Sequence, residues 1–235
     1  MTAERTDFLA LVRLPIPVRE LAADALRQAI IRGDLLPGER LVEPELAKRM
    51  GVSRPSIREA LSQLAAEKLV TIVPNKGPSV ANITWQEAQD IYHVRSLMEG
   101  EAAHLFAGCA RKEDLAAMRK ALKEFERTMA RPDAAGLVAS TATFYTIMLN
   151  GCGNSVIAEL LAGLNARIGV LRARSMSRPG RIHYSLAEMT ALLERLERGD
   201  AEGARAAAHT HVRAAAAAAR ESYEQLARQN RSPNT

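Results

Sequence analysis

Residues Gly51–Val70, GVSRPSIREALSQLAAEKLV, carry the clearest indication of how this chain folds. Gly51 can end one helix, because glycine reaches the left-handed backbone region that closes a helix at low cost. Ser53 can cap the next helix by accepting a hydrogen bond from an amide of its first turn. Pro55 falls in that first turn, where its missing N–H is not needed. The stretch therefore predicts the second half of a helix-turn-helix.

The helix that follows Ser53 has two distinct faces. One face is an apolar stripe, because its residues recur at helical spacing. The stripe consists of Ile57, Ala60, Leu61, Leu64 and Ala65. Arg54, Arg58 and Ser62 lie on another face, and guanidinium groups can bind phosphates or the acceptor edge of guanine. This face suits a DNA major groove; the alternative is an ordinary amphipathic helix with a solvated basic side.

The neighbouring segments favour the DNA-binding interpretation. Two helical patterns precede the stretch, and a β-branched strand, a turn and a short return strand follow it. In chain order these segments are Val18–Ile31, Glu43–Met50, Leu69–Val73, Pro74–Pro78 and Ser79–Ala81. Three helices followed by a hairpin predict a winged helix-turn-helix.

The segment GDLLPGERLVEPELAKRMGVSRPSIREALSQLAAEKLVTIVPNKGPSV resembles the DNA-binding domain of the GntR superfamily of bacterial transcription regulators. The resemblance covers Val18–Val80 without a gap. It implies that recognition-helix residues contact bases and phosphates, and that the wing turn reaches the minor groove. The DNA-contacting residues implied are Ser53, Arg54, Pro55, Ser56, Arg58, Asn75, Lys76 and Gly77. The chain departs from the family at Pro44, where several relatives carry a DNA-contacting arginine, and at Lys68, which replaces a usual glycine.

Composition bounds the class of protein. Of the 235 residues, 47% are hydrophobic and only 4% aromatic, which favours a real core built from helices. The net charge of +5 is compatible with a polyanionic partner but does not demand one. Cys109 and Cys152 form no close-spaced motif and predict reduced, buried thiols in a cytoplasmic protein. No apolar run approaches the length of about 20 residues that a membrane helix needs. The N-terminus lacks a signal-peptide pattern, and residues 1–17 are expected to form a flexible arm.

Beyond residue 83 the pattern is purely helical. Thr84 and Glu87 form one capping box, Ser185 and Glu188 a second, and Asp200 can cap the last helix. The expected helices are Thr84–Cys109, Lys112–Ala130, Ala134–Leu149, Ser155–Arg174, Ser185–Arg198 and Asp200–Arg228. The chain therefore divides into a winged helix-turn-helix at 18–82, an all-helical domain at 84–228 and a tail at 229–235. The expected fold class is mainly α, with the winged helix-turn-helix followed by an antiparallel helical bundle.

This second domain resembles the FCD branch of the GntR superfamily. The residues that carry the resemblance are Arg95–Glu99, Gly151–Asn154 and Leu192–His211. The resemblance implies an antiparallel bundle that forms homodimers and holds a small ligand, often a carboxylate, in its centre.

Many FCD domains bind a divalent metal through an aspartate and three histidines. The corresponding residues here are Thr141, Tyr145, Met189 and His211, so only one histidine is kept. One imidazole does not hold a metal ion. We therefore expect no metal and no cofactor.

The same four positions are candidates for an effector pocket, because helical spacing turns them all into the bundle. Two alternatives stay open. Either Tyr145 and His211 bond to each other or to backbone in a filled core, or the positions line a metal-free cavity for a ligand. The candidate effector-binding residues are Arg95, Thr141, Tyr145, Arg172, Met189 and His211.

Arg95 can hold an anionic effector in bidentate fashion, or it can pair with Glu99 one turn away. The arginines around Pro179–Gly180 predict a basic loop that either is solvated or covers a pocket. These arginines are Arg172, Arg174, Arg178 and Arg181.

The function predicted is that of a ligand-responsive transcription regulator, with repression as the commoner outcome in the family. It would bind a palindromic double-stranded DNA operator as a homodimer and respond to a small anionic metabolite. The alternatives are a DNA-binding scaffold without effector, and an enzyme that uses Tyr145 and His211 as acid and base. No nucleophile motif or glycine-rich phosphate loop supports the enzyme.

Overall fold

The fold is mainly helical, as predicted. A computed structural model describes residues 17–130 and 133–231, so most of the expected arm at 1–17 and residues 232–235 of the expected tail lie outside the described part. Within the described residues, ten helices accompany one two-stranded sheet. The elements are α1 Val18–Arg32, α2 Glu43–Met50, α3 Arg54–Ala66, β1 Val70–Val73, β2 Gly77–Val80, α4 Trp85–Cys109, α5 Lys112–Met129, α6 Ala134–Gly151, α7 Ser155–Ala162, α8 Asn165–Met176, α9 Arg181–Glu197 and α10 Ala201–Arg231.

The winged helix-turn-helix, called the head below, comprises α1–α3 and the hairpin β1–β2. Its core is the stripe seen in the sequence, since Ile57, Ala60, Leu61 and Leu64 are all buried on the inner side of α3. The strands pair antiparallel, with Val70 opposite Val80. Burying one face of α3 leaves its other face to solvent, which is the requirement for a recognition helix.

Local signals place the ends of α3. Gly51 closes α2 in the left-handed region, with φ of 67°. The Ser53 hydroxyl then accepts a hydrogen bond from the Ser56 amide at 3.3 Å. Lys68 follows the helix with φ of 61°, in the region where glycine is least strained. The family's preference for glycine at this position therefore has a backbone reason, and Lys68 adopts the same conformation at some cost.

The remaining helices form a bundle around α4 and α10. These two long helices pack along each other, because α10 buries a row of alanines that allows a close approach. The buried alanines of this row include Ala204, Ala208, Ala215 and Ala219. Phe106, Phe144 and Met148 belong to the core of the bundle. Cys152 is buried in this core, but Cys109 is exposed, so the prediction of a buried thiol was wrong for Cys109. No described helix has both the length and the apolar character needed to cross a membrane.

Two helix predictions were wrong. The segment expected as one helix over Ser155–Arg174 is broken near Gly163 into α7 and α8. Helix α9 begins at Arg181 rather than Ser185, because Gly180 takes φ of 77° and lets the chain turn earlier. Ser185 is therefore buried inside α9 and caps nothing.

Two other cap predictions were confirmed. The Thr84 hydroxyl accepts a hydrogen bond from the Glu87 amide at 3.2 Å, and α4 begins at the next residue. Asp200 accepts one from the Gly203 amide at 2.9 Å at the start of α10.

The head lies against the bundle through α1. Ile31, near the end of α1, is buried beside Leu137, Val138 and Met176 of the bundle. Gly169 of α8 allows this approach, because a Cβ atom there would lie 3.0 Å from Cδ1 of Ile31. Helix α8 is thus the part of the bundle that meets the head most tightly.

The contact between α4 and α10 leads to a stability prediction at Gly100. A Cβ atom at this position would lie 2.7 Å from Nε2 of His209, whose ring is held by a 2.8 Å hydrogen bond to Ser96. Gly108 is in the same helix and has open space around it. We expect Gly100→Ala to be less stable than Gly108→Ala by about 1–3 kcal/mol, since overpacking opposes the gain in helix propensity. Chemical denaturation of the two variants measures the difference; equal stabilities would show that His209 moves freely.

Candidate functional site

The first candidate site is the outer face of α3. Arg54, Pro55, Arg58 and Ser62 are exposed there, and Ser56 is half-buried beside them. Arg54 and Arg58 are one turn apart, so both guanidinium groups leave the helix on one side. A short helix with its inner side fixed in a core and two arginines on its outer side has the form that enters a major groove.

Glu43 of α2 holds Arg58 in place. The Arg58 Nη2 atom donates to Oε2 of Glu43 at 3.0 Å, and Nε lies 3.4 Å from Oε1. The hydrogen bonds to Glu43 raise the pKa of Arg58. Glu43 was not predicted from the sequence, because fifteen positions separate it from Arg58 and only the helix-turn-helix brings them together. The contact restricts a long side chain before it meets a ligand, which lowers the entropy lost on binding.

The wing turn presents the other candidate DNA residues. Asn75 and Lys76 are exposed between the two strands, and Gly77 is half-buried. Asn75 has φ of 63° and Gly77 has φ of 79°, so the tight turn depends on two residue types that tolerate the left-handed region.

The four positions matched to the family's metal ligands lie buried in the bundle. The rings of Tyr145 and His211 are 5.4 Å apart at their centroids, and Met189 and Thr141 are fully enclosed. His211 bonds Glu188 through Nδ1 at 2.8 Å rather than Tyr145. The Tyr145 hydroxyl has no hydrogen-bond partner among the described residues.

These four residues do not fit a divalent metal. The Thr141 hydroxyl already donates to the Leu137 carbonyl at 2.8 Å, and Met189 offers only a thioether. His211 is the single imidazole, and its Nδ1 is engaged by Glu188. Within residues 17–130 and 133–231, no three side chains of His, Cys, Asp or Glu lie close enough together to hold a metal ion.

Buried arginines surround Tyr145 and His211. Arg95 is fully buried and bonds Glu99 at 2.7 Å, which is the intrahelical alternative of the sequence analysis. Arg181 bonds Glu188 through both terminal nitrogens, at 3.1 and 2.7 Å. Arg172 lies with its Cζ atom 5.4 Å from the centre of the Tyr145 ring.

The expected basic loop is wrong for three of its four arginines. Arg172 and Arg181 are 6% exposed and belong to α8 and α9. Arg174 is half-buried in α8, with its Cζ atom 4.3 Å from the centre of the Tyr223 ring. Arg178 does lie between the helices, but it is tied to Glu221 and Gln225 of α10. The error arose because Pro179–Gly180 predicts a turn and does not indicate how early α9 begins.

Burial changes the pKa values of three of these residues, Arg172, Tyr145 and His211. Burial, with repulsion from Arg95 and against the opposing attraction of Glu99, lowers the pKa of Arg172 to about 10, so its guanidinium stays charged near neutrality. Burial raises the pKa of the Tyr145 hydroxyl above its ordinary value. Burial also lowers the pKa of His211, with help from Arg95 and Arg181 and against the opposing effect of Glu188.

The lowered pKa of His211 predicts an acid-sensitive bundle. In the unfolded chain a histidine has a pKa of about 6.5, whereas in the folded chain the pKa of His211 is lower. The unfolded state therefore binds the proton first as the pH falls, so the free energy of unfolding is highest above about pH 6.5 and decreases below it. We expect a slope of up to about 1.4 kcal/mol per pH unit for this one proton. Melting between pH 8 and pH 5.5 should show a smaller loss for His211→Gln than for the wild type. The exposed His183→Gln serves as the control and should keep the wild-type slope.

Comparison with known proteins places both halves of the chain in described families. Residues 18–80 match the gntR family of bacterial regulatory proteins, and residues 90–214 match the FCD domain. The chain is 27% identical over 192 residues to YdhC, an uncharacterized HTH-type transcriptional regulator of Bacillus subtilis, covering 81% of this chain and 86% of that protein.

A second relative is the HTH-type transcriptional repressor GlaR of Escherichia coli. It is 33% identical over 143 residues, which are 57% of this chain and 63% of GlaR. Among solved structures, McbR/YncC of Escherichia coli superposes with a TM-score of 0.77 over 90% of this chain and 100% of that one. Its sequence identity is 20%, so this likeness bears on the fold.

Proposed function

This chain belongs to the GntR family of bacterial transcription regulators, in the branch with an FCD domain, and on that premise we propose that it is a ligand-responsive repressor. It binds a palindromic double-stranded DNA operator as a homodimer and holds a small anionic metabolite in its helical domain. We assign DNA binding to residues 18–82 and effector binding to residues 84–228. A repressor acts where its operator is, which for a bacterial chain is the cytoplasm.

The observation that carries the proposal is the outer face of α3. Arg54 and Arg58 are exposed on a helix whose other side is locked into the head, and Glu43 orients one of them. Two arginines in that arrangement can reach guanine edges and phosphates together. Asn75, Lys76 and Gly77 of the wing, with Ser53, Pro55 and Ser56, would add backbone and minor-groove contacts.

Exposed apolar side chains support the homodimer. Val94 and Leu97 of α4, and Val156 and Leu160 of α7, all face solvent in the single chain, and α4 and α7 pack against each other. Apolar patches on adjoining elements are typical of interaction surfaces. A two-fold dimer through the bundle would hold two heads at half-sites of a palindrome.

Helix α8 supports a route from effector to DNA. It carries Arg172 into the buried charged cluster and carries Gly169 against Ile31 of α1. A ligand that shifts α8 would therefore change the contact that positions the head. Such a ligand can shift the position of the head only if its affinity differs between the two positions.

Selection of duplexes from a random library tests the proposal. The full chain should enrich a palindromic sequence, and native mass spectrometry should find two chains on one duplex. Enrichment of a single asymmetric half-site by one chain would contradict the homodimer, and absence of any enriched sequence would contradict the operator.

A scaffold without effector is the second candidate function. The observation that favours it is that Arg95 and Arg181 already have internal carboxylate partners. A thermal-shift screen of metabolites distinguishes the two functions, because no compound should change the Tm of a scaffold that binds no effector. The enzyme hypothesis built on Tyr145 and His211 is set aside, since the family matches and relatives are transcription regulators.

A further inference from the structure

The buried charges of the bundle do not balance. Among the described residues, three arginines are buried in the same region, Arg95, Arg172 and Arg181, and two carboxylates form ion pairs there. Glu99 pairs with Arg95, and Glu188 pairs with Arg181. No described carboxylate forms an ion pair with Arg172. Its Cζ atom lies 5.4 Å from the centre of the Tyr145 ring, and its charge is also attracted by Glu99, which is already bonded to Arg95.

These groups form one cluster rather than two separate ion pairs and an isolated arginine. Arg172 lies over the Tyr145 ring, the Tyr145 ring lies against His211, and His211 bonds Glu188, which also holds Arg181. Arg95 joins from α4, because its charge acts on Tyr145, Arg172 and His211 alike. Five helices thus contribute to one buried site, which we call the arginine cluster: Arg95 and Glu99 on α4, Tyr145 on α6, Arg172 on α8, Arg181 and Glu188 on α9, and His211 on α10.

Several hydrogen-bond donors in the arginine cluster have no partner among the described residues. They are Nη1 of Arg95, Nε of Arg172, Nε of Arg181 and the hydroxyl of Tyr145. Buried donors without acceptors are costly, and an unpaired buried cation more so. A carboxylate would satisfy both deficits at once, because it accepts up to four hydrogen bonds and carries one negative charge.

Building on the effector role proposed above, we propose that the arginine cluster is a metal-free receptor for a monocarboxylate. Arg172 supplies the uncompensated charge, and Arg181 held on Glu188 stands in for the divalent cation of other FCD domains. Phe144 meets the Tyr145 ring edge-on at 5.5 Å between centroids, and Met148 and Met189 belong to the same buried core, which favours a carboxylate on a small apolar body. The Glu188 side chain is 18% exposed, so solvent meets the cluster at that side.

The same contacts oppose a metal. Glu188, the nearest carboxylate to His211, already accepts from Arg181 twice and from His211 once. A divalent cation beside Arg95 and Arg181 would meet like charge without the anionic ligands needed to offset it. The unpartnered hydrogen-bond donors and the excess positive charge of the arginine cluster therefore both favour an anion.

The first test uses the full chain after dialysis against EDTA. Acetate, butyrate and benzoate serve as carboxylate probes, with sodium chloride at equal ionic strength and butyramide as the uncharged match of butyrate. We expect at least one carboxylate to raise the Tm by about 2–4 °C while chloride and butyramide do not. A shift that appears only after Zn²⁺ is restored would overturn the proposal, as would no shift with any of the three carboxylates.

The second test replaces Arg172 by glutamine, with Arg213→Gln as the matched control on the exposed side of α10. We expect Arg172→Gln to raise the half-maximal carboxylate concentration at least tenfold, and the control to leave it unchanged. The unliganded Arg172→Gln protein should melt no lower than the wild type, because an unpaired buried cation has been removed. An unchanged carboxylate response in Arg172→Gln would overturn the assignment; if this variant does not fold, Arg172→Lys, which keeps the charge but not the planar donors, takes its place.

The proposed function is checked separately on the same samples. Binding of the selected duplex without a carboxylate response would refute the arginine-cluster receptor and leave the DNA-binding regulator standing. A carboxylate response without sequence-specific duplex binding would refute the regulator and leave the receptor standing.

Discussion

Replacing Arg54 and Arg58 together by alanine is expected to lower operator affinity by about two to four orders of magnitude. A bidentate arginine contact to a base contributes about 1–3 kcal/mol, and a factor of ten corresponds to about 1.4 kcal/mol. The head should keep its stability to within about 0.5 kcal/mol, since both side chains are exposed. Fluorescence anisotropy with the selected duplex measures the affinity, and thermal melting measures the stability.

The control for this experiment is Arg213→Ala. Arg213 is an exposed arginine of α10 in the other domain, so its replacement changes the net charge without touching α3. It should reduce operator affinity by less than about threefold, because screening weakens a distant charge. If the double variant at Arg54 and Arg58 binds as tightly as this control, α3 is not the recognition helix.

The second large effect is expected at Glu99. Glu99→Gln leaves the fully buried Arg95 without its carboxylate, and breaking a buried pair from one side costs about 3–5 kcal/mol. Trp85 is the single tryptophan and stacks near Tyr223 in the bundle, so its fluorescence follows unfolding of this domain. Denaturation in urea, monitored through Trp85, measures the loss.

Two comparisons make this prediction sharp. Glu194→Gln alters an exposed pair with Arg198 at the same helical spacing, and such pairs are worth less than about 1 kcal/mol. The double variant Arg95→Met/Glu99→Leu removes both charges and should lose less stability than Glu99→Gln alone. If Glu99→Gln lowers the free energy of unfolding by no more than Glu194→Gln does, Arg95 has another partner.

Much of the head could be predicted because its signals are local. The cap at Ser53, the stop at Gly51 and the apolar stripe of α3 each depend on residues within a few positions of one another. Such short-range patterns do not depend on contacts between distant parts of the chain. The order of the helices and the exposed position of Arg54 and Arg58 could therefore be predicted from them. The partner of Arg58 does not, since Glu43 reaches it only across the turn between two helices.

The arginine cluster shows where prediction from sequence stops. Helical spacing correctly turned Thr141, Tyr145, Met189 and His211 into the bundle. Glu188 matched a capping box with Ser185, but the tertiary structure uses it to bind Arg181 and His211. The sequence Ser185 to Glu188 is compatible both with a capping box and with a glutamate inside a helix that forms a buried ion pair. The structure has the second arrangement because α9 begins directly after Gly180.

The ratio of two dissociation constants shows whether α3 reads the base sequence of DNA. The wild-type chain is titrated, in about 0.15 M salt, against the selected palindromic duplex and against a scrambled duplex of the same length. A regulator that reads bases through α3 should bind the palindrome at least about 10³-fold more tightly. Equal affinity for the two duplexes would mean that charge alone attracts the chain to DNA and that α3 does not read bases.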